Sequence, residues 1–436
     1  MGISDTIYAL SSGGLPSGVA MIRISGTRTT EVLAKLSGKI PAPRLAKLSS
    51  IRGRNDQLID QGLVLFFKGP GSFTGEDCAE LQLHGGKAVV EAVLTELAYL
   101  GCRHAEAGEF SRRAFQNDKL DLVEIEGLAD LIAAETEMQR RLAVEHSSGH
   151  LSSLYEGWSR RLVHARAMIE AELDFADEED VPGSVSPSVW ADMSLLGEEI
   201  GTHLDGAAVA EIIRDGLNVV IAGAPNAGKS SLLNALAQRD IAIVTEIAGT
   251  TRDVLSVDLS LAGFSIKLHD TAGLRETQDL VEKEGIRRAR NVISKADLVI
   301  ALSDNPCDFP ELGAVGTIRV GTKIDSNPDL WDKSAADVLI SVKTGQGMER
   351  LIDVIVSRLP DLNAFSNFAL PSRRRHVDCL NEARTAIHSS LAAADLGLDI
   401  QAEYLRIAGD ALGRITGRVD VEDLLSIIFS EFCVGK

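Results

Sequence analysis

The eight residues Gly223-Ala224-Pro225-Asn226-Ala227-Gly228-Lys229-Ser230 read G-x-x-x-x-G-K-S. They follow the apolar run Leu217-Asn218-Val219-Val220-Ile221-Ala222 and open a helical pattern over 229–237. No other feature constrains the fold as tightly, because the pattern works only as a turn between a buried strand and a helix. Its glycines let backbone N–H groups close around phosphate oxygens, and the helix N-terminus adds partial positive charge. Lys229 is placed to neutralise β/γ-phosphate oxygens, and the Ser230 hydroxyl to ligate Mg²⁺. Strand signals recur at 264–269, 298–302, 317–320 and 338–341, interleaved with helical ones. That alternation predicts a mostly parallel sheet with helices on both faces.

Three further motifs follow in order. Asp270-Thr271-Ala272-Gly273 sits at a strand end, where an Asp holds the metal through water and a Gly N–H reaches the γ-phosphate. Thr322-Lys323-Ile324-Asp325 supplies a carboxylate that accepts from the N1–H and N2–H₂ edge of guanine, a pair that adenine lacks. Lys323 packs its stem over the base, and Ser341-Val342-Lys343 closes the pocket. Many GTPases carry Asn where this chain has Thr322, although some small ones also have Thr. Between the first two motifs lies Gly249-Thr250-Thr251-Arg252-Asp253, in which Thr251 is expected to meet Mg²⁺ only when a γ-phosphate is bound. Leu274 stands where Ras-like enzymes place a water-orienting Gln, and leucine cannot orient water. Glu282 is therefore a candidate water-orienting base, and Asn226 a candidate carbonyl ligand for a monovalent cation.

The rest of the chain frames this unit. A length of 436 residues suggests two to four domains. Residues 1–118 mix short strands, turns and one helix at 88–100, an α+β pattern. Helical spacing governs 119–213 (Leu122, Ile125, Leu128; Leu151, Trp158, Leu162, Ile169) and returns in 363–436 (Leu380, Ala383, Ile387; Leu405, Ala408, Leu412). The economical arrangement is one discontinuous helical domain with an α/β domain at 214–362 inserted into it. The acidic run Asp177-Glu178-Glu179-Asp180 reads as a solvated loop. Forty-four Lys+Arg against 63 Asp+Glu, a formal charge of −19, exclude a uniformly basic nucleic-acid surface, and 4% aromatics argue against a base-stacking platform. Five scattered cysteines without a CxxC suit a reducing cytoplasm and no zinc site. No transmembrane helix or secretory signal is expected. Lipidation patterns at Gly2 and Cys433 are weak, since Thr6–Leu10 reads as a first strand and Gly435-Lys436 is a poor prenylation end.

Along its whole length the chain resembles the MnmE (TrmE) family. The matching segments are Asp5–Ala9, Ile22–Gly26, Ser72–Asp77, Glu80–Gly86, Gly108–Ser111, Asn117–Leu122, Arg373–His376 and the terminal Phe432-Cys433-Val434-Gly435-Lys436, the most specific of them. The resemblance implies an N-terminal tetrahydrofolate-binding and dimerisation domain, a helical domain, and a Ras-like P-loop G domain. It implies folate contacts from Arg23, Glu80, Lys119 and Lys436. It implies nucleotide contacts from Asn226, Ala227, Gly228, Lys229, Ser230 and Ser231, from Thr245, Glu246, Ile247, Ala248, Gly249, Thr250 and Thr251, from Asp270, Thr271, Ala272 and Gly273, and from Thr322, Lys323, Asp325, Ser341 and Lys343. Within these, Ser230 and Thr251 would ligate Mg²⁺; Asn226, Thr245, Ile247 and Thr250 fall on K⁺-ligand positions. Glu282 falls on the family's catalytic glutamate, with Lys229 as the second catalytic group. Cys433 falls on its C-terminal cysteine, a candidate for placement near the folate and the reacting base. The implied activity is GTP-driven addition of an aminomethyl or carboxymethylaminomethyl group to C5 of uridine 34 in certain tRNAs. The one-carbon donor would be a tetrahydrofolate (5-formyl or 5,10-methylene), and the redox chemistry would come from the flavin-dependent partner MnmG, since no flavin fingerprint occurs here. Two competitors lack their required parts: a ribosome-assembly GTPase needs an RNA module or basic tail, and a dynamin-like scaffold needs a basic, aromatic membrane face.

Overall fold

Alternation of apolar and polar residues in the first hundred positions builds a six-stranded sheet. Its strands are β1 (Ile7–Leu10), β2 (Ser17–Ser25), β3 (Lys47–Arg52), β4 (Leu58–Phe67), β5 (Cys78–Gly85) and β6 (Arg103–His104), in the order β3-β4-β5-β2-β1-β6. The computed structural model describes residues 5–174, 186–239, 256–270, 296–310, 316–326, 330–332, 334–361, 368–419, 428 and 435. Successive strand residues face opposite sides. Tyr8, Ile22, Ile24 and Leu81 therefore bury against α1 (Thr29–Ser37) and α2 (Lys87–Tyr99) through Val32, Leu33, Val93 and Leu97. Ile7 and Ala9 instead meet Phe110 of α3 (Glu109–Gln116) on the reverse face, beside Phe73. The sequence predicts α2 alone; α1 and α3 are nine and eight residues long, too short for period counting to single out.

The helical segments are α4 (Leu122–Ala133), α5 (Glu137–Ser147), α6 (His150–Asp174), α7 (Ser186–Asp205) and α8 (Ala207–Asp215), then α11 (Arg374–Ala392) and α12 (Leu398–Thr416) beyond the α/β region. The α12 residues Leu405, Ala408, Leu412 and Ile415 and the α6 residues Trp158, Leu162, Ala165 and Ile169 are all buried, and the two helices pack along each other. Helices from both sides of the nucleotide-binding region thus share one core.

The α/β region contributes β7 (Leu217–Gly223), α9 (Lys229–Ala237), β8 (Ser256–Leu261), β9 (Phe264–Asp270), β10 (Leu298–Ser303), β11 (Thr317–Gly321), β12 (Val338–Leu339) and α10 (Met348–Val356). The strand order is β12-β11-β10-β7-β9-β8. All neighbours are parallel except β8, which runs antiparallel to β9 at the edge. Leu232, Leu233 and Leu236 of α9 and Leu351 and Ile355 of α10 cover one face of the sheet. Val220, Ala222, Ala296 and Val299 are buried on the other.

Cα proximity divides the chain into two compact units: residues 1–129, 146–193 and 385–436, and residues 130–145 and 194–384. The second reaches beyond 214–362, because Leu142 of α5, Ala210 and Ile213 of α8, and Phe368 and Leu370 belong to the same core as β7–β9. Nothing in the periodicity of α5 distinguishes the face that makes this contact.

Candidate nucleotide-binding site

β7 ends at Gly223, and a Cβ there would come within 2.5 Å of the Leu302 carbonyl on the adjacent β10, so the loop leaves the sheet where only glycine fits. Asn226 (φ 67°) and Gly228 (φ 98°) take left-handed conformations, and Gly228 caps α9. This conformation wraps the loop around the helix N-terminus, where unpaired N–H groups and the helix dipole attract phosphate. The Lys229 ammonium donates to the carbonyls of Gly223 and Ala224, each at 2.9 Å, and is thereby held over the loop. Phosphate oxygens are stronger acceptors for the same protons. The Ser230 hydroxyl donates to the Asp270 carboxylate at 2.8 Å. Two motifs distant in sequence thus meet, and Asp270 is buried. A hydroxyl and a carboxylate at this distance are the hard oxygen donors that Mg²⁺ takes.

The base motif sits on the neighbouring strand ends. Thr322 is buried, and its hydroxyl bridges toward the Ala227 carbonyl at 2.9 Å and the Ser303 carbonyl at 3.2 Å. The short hydroxyl thus tethers the base motif to the phosphate loop. Lys323 adopts φ 57° and pairs with Asp304 at 2.7 Å. The Asp325 carboxylate accepts from the buried Ser341 hydroxyl at 2.7 Å. That bond, reinforced by the charge of Lys343, holds its carboxyl below the usual range and keeps it an ionised acceptor. Sequence reasoning missed Asp304. Its position directly after β10, at the carboxyl edge of a parallel sheet where ligands bind, is the signal that points to it.

The expected residues Thr245, Glu246, Ile247, Ala248, Gly249, Thr250, Thr251, Thr271, Ala272, Gly273, Leu274, Glu282, Cys433 and Lys436 lie outside the described residues, as does the acidic run at 177–180.

On the N-terminal sheet, Arg23 of β2 and Glu80 of β5 are cross-strand partners, ion-paired at 3.0 Å. The Arg23 guanidinium also lies 5.3 Å from the Phe73 ring centroid and 5.8 Å from that of Phe110. Lys119 is exposed; its stem and Asn117 flank Gly75, and the Asn117 amide donates to the Thr74 carbonyl at 2.6 Å. Near the chain end, the Gly435 carbonyl accepts from the Ser11 hydroxyl at 2.7 Å, two residues beyond the Ala9 position that faces Arg23. Three of the four residues expected to contact folate are therefore described. Two of them already satisfy each other.

The phosphate-loop turn, the Ser230–Asp270 pair and the Thr322–Asp325 segment lie along one edge of a sheet whose described strands are parallel except the outer β8, the arrangement of a P-loop GTPase. The MnmE helical domain matches residues 122–433, and the N-terminus of the GTP-binding protein TrmE matches residues 6–119. The chain is 66% identical to the tRNA modification GTPase MnmE of Sinorhizobium medicae over 100% of both chains. Identity to the Rhizobium meliloti protein of the same name is 65%, over 99% of each, and to that of Rhizobium etli 57%, over 100% of this chain and 99% of the other. The chain belongs to the MnmE family and is a GTP-hydrolysing enzyme of tRNA modification. Among the described residues no helix is long and apolar enough to cross a membrane.

Proposed function

We propose that the chain couples GTP hydrolysis to the addition of a carboxymethylaminomethyl or aminomethyl group at C5 of the wobble uridine of certain tRNAs. It would act in the cytoplasm with an MnmG-like flavoprotein that supplies the redox chemistry. The observation that carries the reading is the joining of the Ser230–Asp270 and Thr322–Asp325 motifs into one site in a chain alike along its full length to these GTPases.

In this reading Lys229 draws charge from the β/γ oxygens, and Ser230 with Asp270 holds Mg²⁺, which supplies charge neutralisation. Thr251 completes that shell when the γ-phosphate is bound. Glu282 orients the attacking water, taking the part that Leu274 cannot. Asn226, with Thr245, Ile247 and Thr250, holds K⁺, and hydrolysis follows approach of two G domains. Arg23, Glu80, Lys119 and Lys436 hold a tetrahydrofolate derivative. Support for that comes from Arg23 lying near the rings of Phe73 and Phe110 with the Glu80 acceptor beside it, which suits a flat heterocycle with a donor edge. Support for a homodimer comes from Leu48 and Leu63, direct cross-strand partners that are 67% and 39% exposed.

The test is mass spectrometry of bulk tRNA from cells lacking the gene, complemented with the natural chain or with Lys229→Ala. The natural chain should restore 5-substituted uridine. Lys229→Ala should bind 5-formyltetrahydrofolate normally yet fail to restore it. Normal levels of the modified uridine in the deletion strain would sink the reading.

A further inference from the structure

We propose that Met138 is a positioning residue through which the nucleotide state of the GTP site reaches α5. One hairpin connects the two. β9 ends on Asp270, the carboxylate bonded to Ser230. β8 begins at Ser256, directly after the segment that carries Thr250 and Thr251. The two strands pair without interruption from Ser256↔His269 to Leu261↔Phe264. A displacement at the nucleotide end is therefore carried along a hydrogen-bonded ladder about 20 Å to the turn, at roughly 3.3 Å per residue. The turn is Ala262 (φ 50°) and Gly263 (φ 84°), two left-handed residues that fix its shape.

Met138 receives that turn. Its backbone N–H, in the first helical turn of α5 where no intrahelical acceptor exists, donates to the Gly263 carbonyl at 3.2 Å. Its side chain lies against Gly263 so closely that a Cβ there would come within 3.3 Å of Met138 Cε and 3.4 Å of Cγ. Four residues on, and on the same helix face, Leu142 enters the core that holds Leu259, Leu261 and Phe264. Gln139 fixes the start of the helix: its side-chain oxygen accepts from the N–H groups of Glu135 and Thr136, each at 3.0 Å, and its amide donates to the Arg214 carbonyl at 3.0 Å. The first turn of α5 is thus seated on the far end of the hairpin and on the segment leading into β7. When the hairpin shifts, this turn follows it or loses the Met138 contact. Met138 meets the turn at the opposite end of the hairpin from Asp270 and Ser230, so its role is transmission.

Hydrogen exchange on the full chain tests this without reference to tRNA, so its failure and the failure of the wobble-uridine reading are separable. In the natural chain, replacing GDP with a non-hydrolysable GTP analogue should alter exchange both at 256–270 and at 137–145. In Met138→Ala the response at 256–270 should persist, while that at 137–145 falls by about fivefold or more, the lower range of measured site-to-site coupling. Met138→Leu should restore it, and GTP affinity should be unchanged in both. A response at 137–145 that survives Met138→Ala would overturn the proposal. So would the absence of any nucleotide response there in the natural chain, a result that needs no variant to fold.

Discussion

In the proposed reading Asp325 selects the base. Its carboxylate is oriented by Ser341 and kept ionised, so it presents two acceptors to the guanine edge. Asp325→Asn replaces one acceptor with a donor that faces the guanine donors. GTP affinity should drop by roughly 10²-fold or more, in line with leaving polar groups unpaired in a site built for them. Xanthosine triphosphate, with a carbonyl at C2, should bind in its place. Competition of both nucleotides against a fluorescent GTP analogue checks this, and unchanged GTP affinity would remove Asp325 from the pocket. The strand–loop–helix turn at 223–229 was legible in the sequence, because glycine spacing encodes backbone geometry locally. Thr322 was harder. Its tolerance of Thr could be read from the motif, but its bond to the Ala227 carbonyl of the phosphate loop depends on tertiary packing. The Arg23–Glu80 pair was not legible as a pair, since the register of two strands 57 residues apart decides it.

Among the elements, α3 is held by charges rather than by length. Arg113, buried in the helix, donates to Asp5 at 2.7 Å, Glu109 at 3.0 Å and Glu76 at 3.1 Å, while Arg103 reaches Glu109 at 2.6 Å. Burial pushes the Glu109 carboxyl up, but hydrogen bonds from Arg103, the Glu106 backbone and Arg113 outweigh it and hold the carboxyl below its ordinary value. A carboxyl lowered in the folded state stabilises above its unfolded value and loses that contribution as pH falls through the folded one. The unit containing residues 1–129 should therefore weaken as pH drops below about 4.3, the ordinary glutamate value. Thermal unfolding from pH 7 to 3 should show the loss, and Glu109→Gln should flatten it. Identical pH profiles for both proteins would place the acid sensitivity elsewhere. α5 shows the opposite limit of sequence reading. It fell within the helical stretch 119–213, yet the partner of its Leu142 is β8–β9, and that choice is made by tertiary packing.

At the scale of the whole molecule the chain forms two compact units, and the proposed reading gives them separate ligands, which is measurable. Only the second unit contains the phosphate loop and the base pocket. A ligand that binds one folded unit stabilises that unit by about 2.7 kcal/mol at a hundred times its dissociation constant. Calorimetry of the full chain should resolve two transitions, with GDP and Mg²⁺ raising one and leaving the other in place. Equal shifts of both would mean that the cores melt as one cooperative body.

The packing of α12 along α6 has a consequence for synthesis. The ribosome releases α6 first, and the entire nucleotide-binding region must be made before α12 exists to cover Trp158, Leu162 and Ile169. A growing chain therefore holds an apolar helix face in waiting, which calls for chaperone protection. A message cut short anywhere within the nucleotide-binding region yields a product in which α6 lacks α12, a face that proteases can recognise.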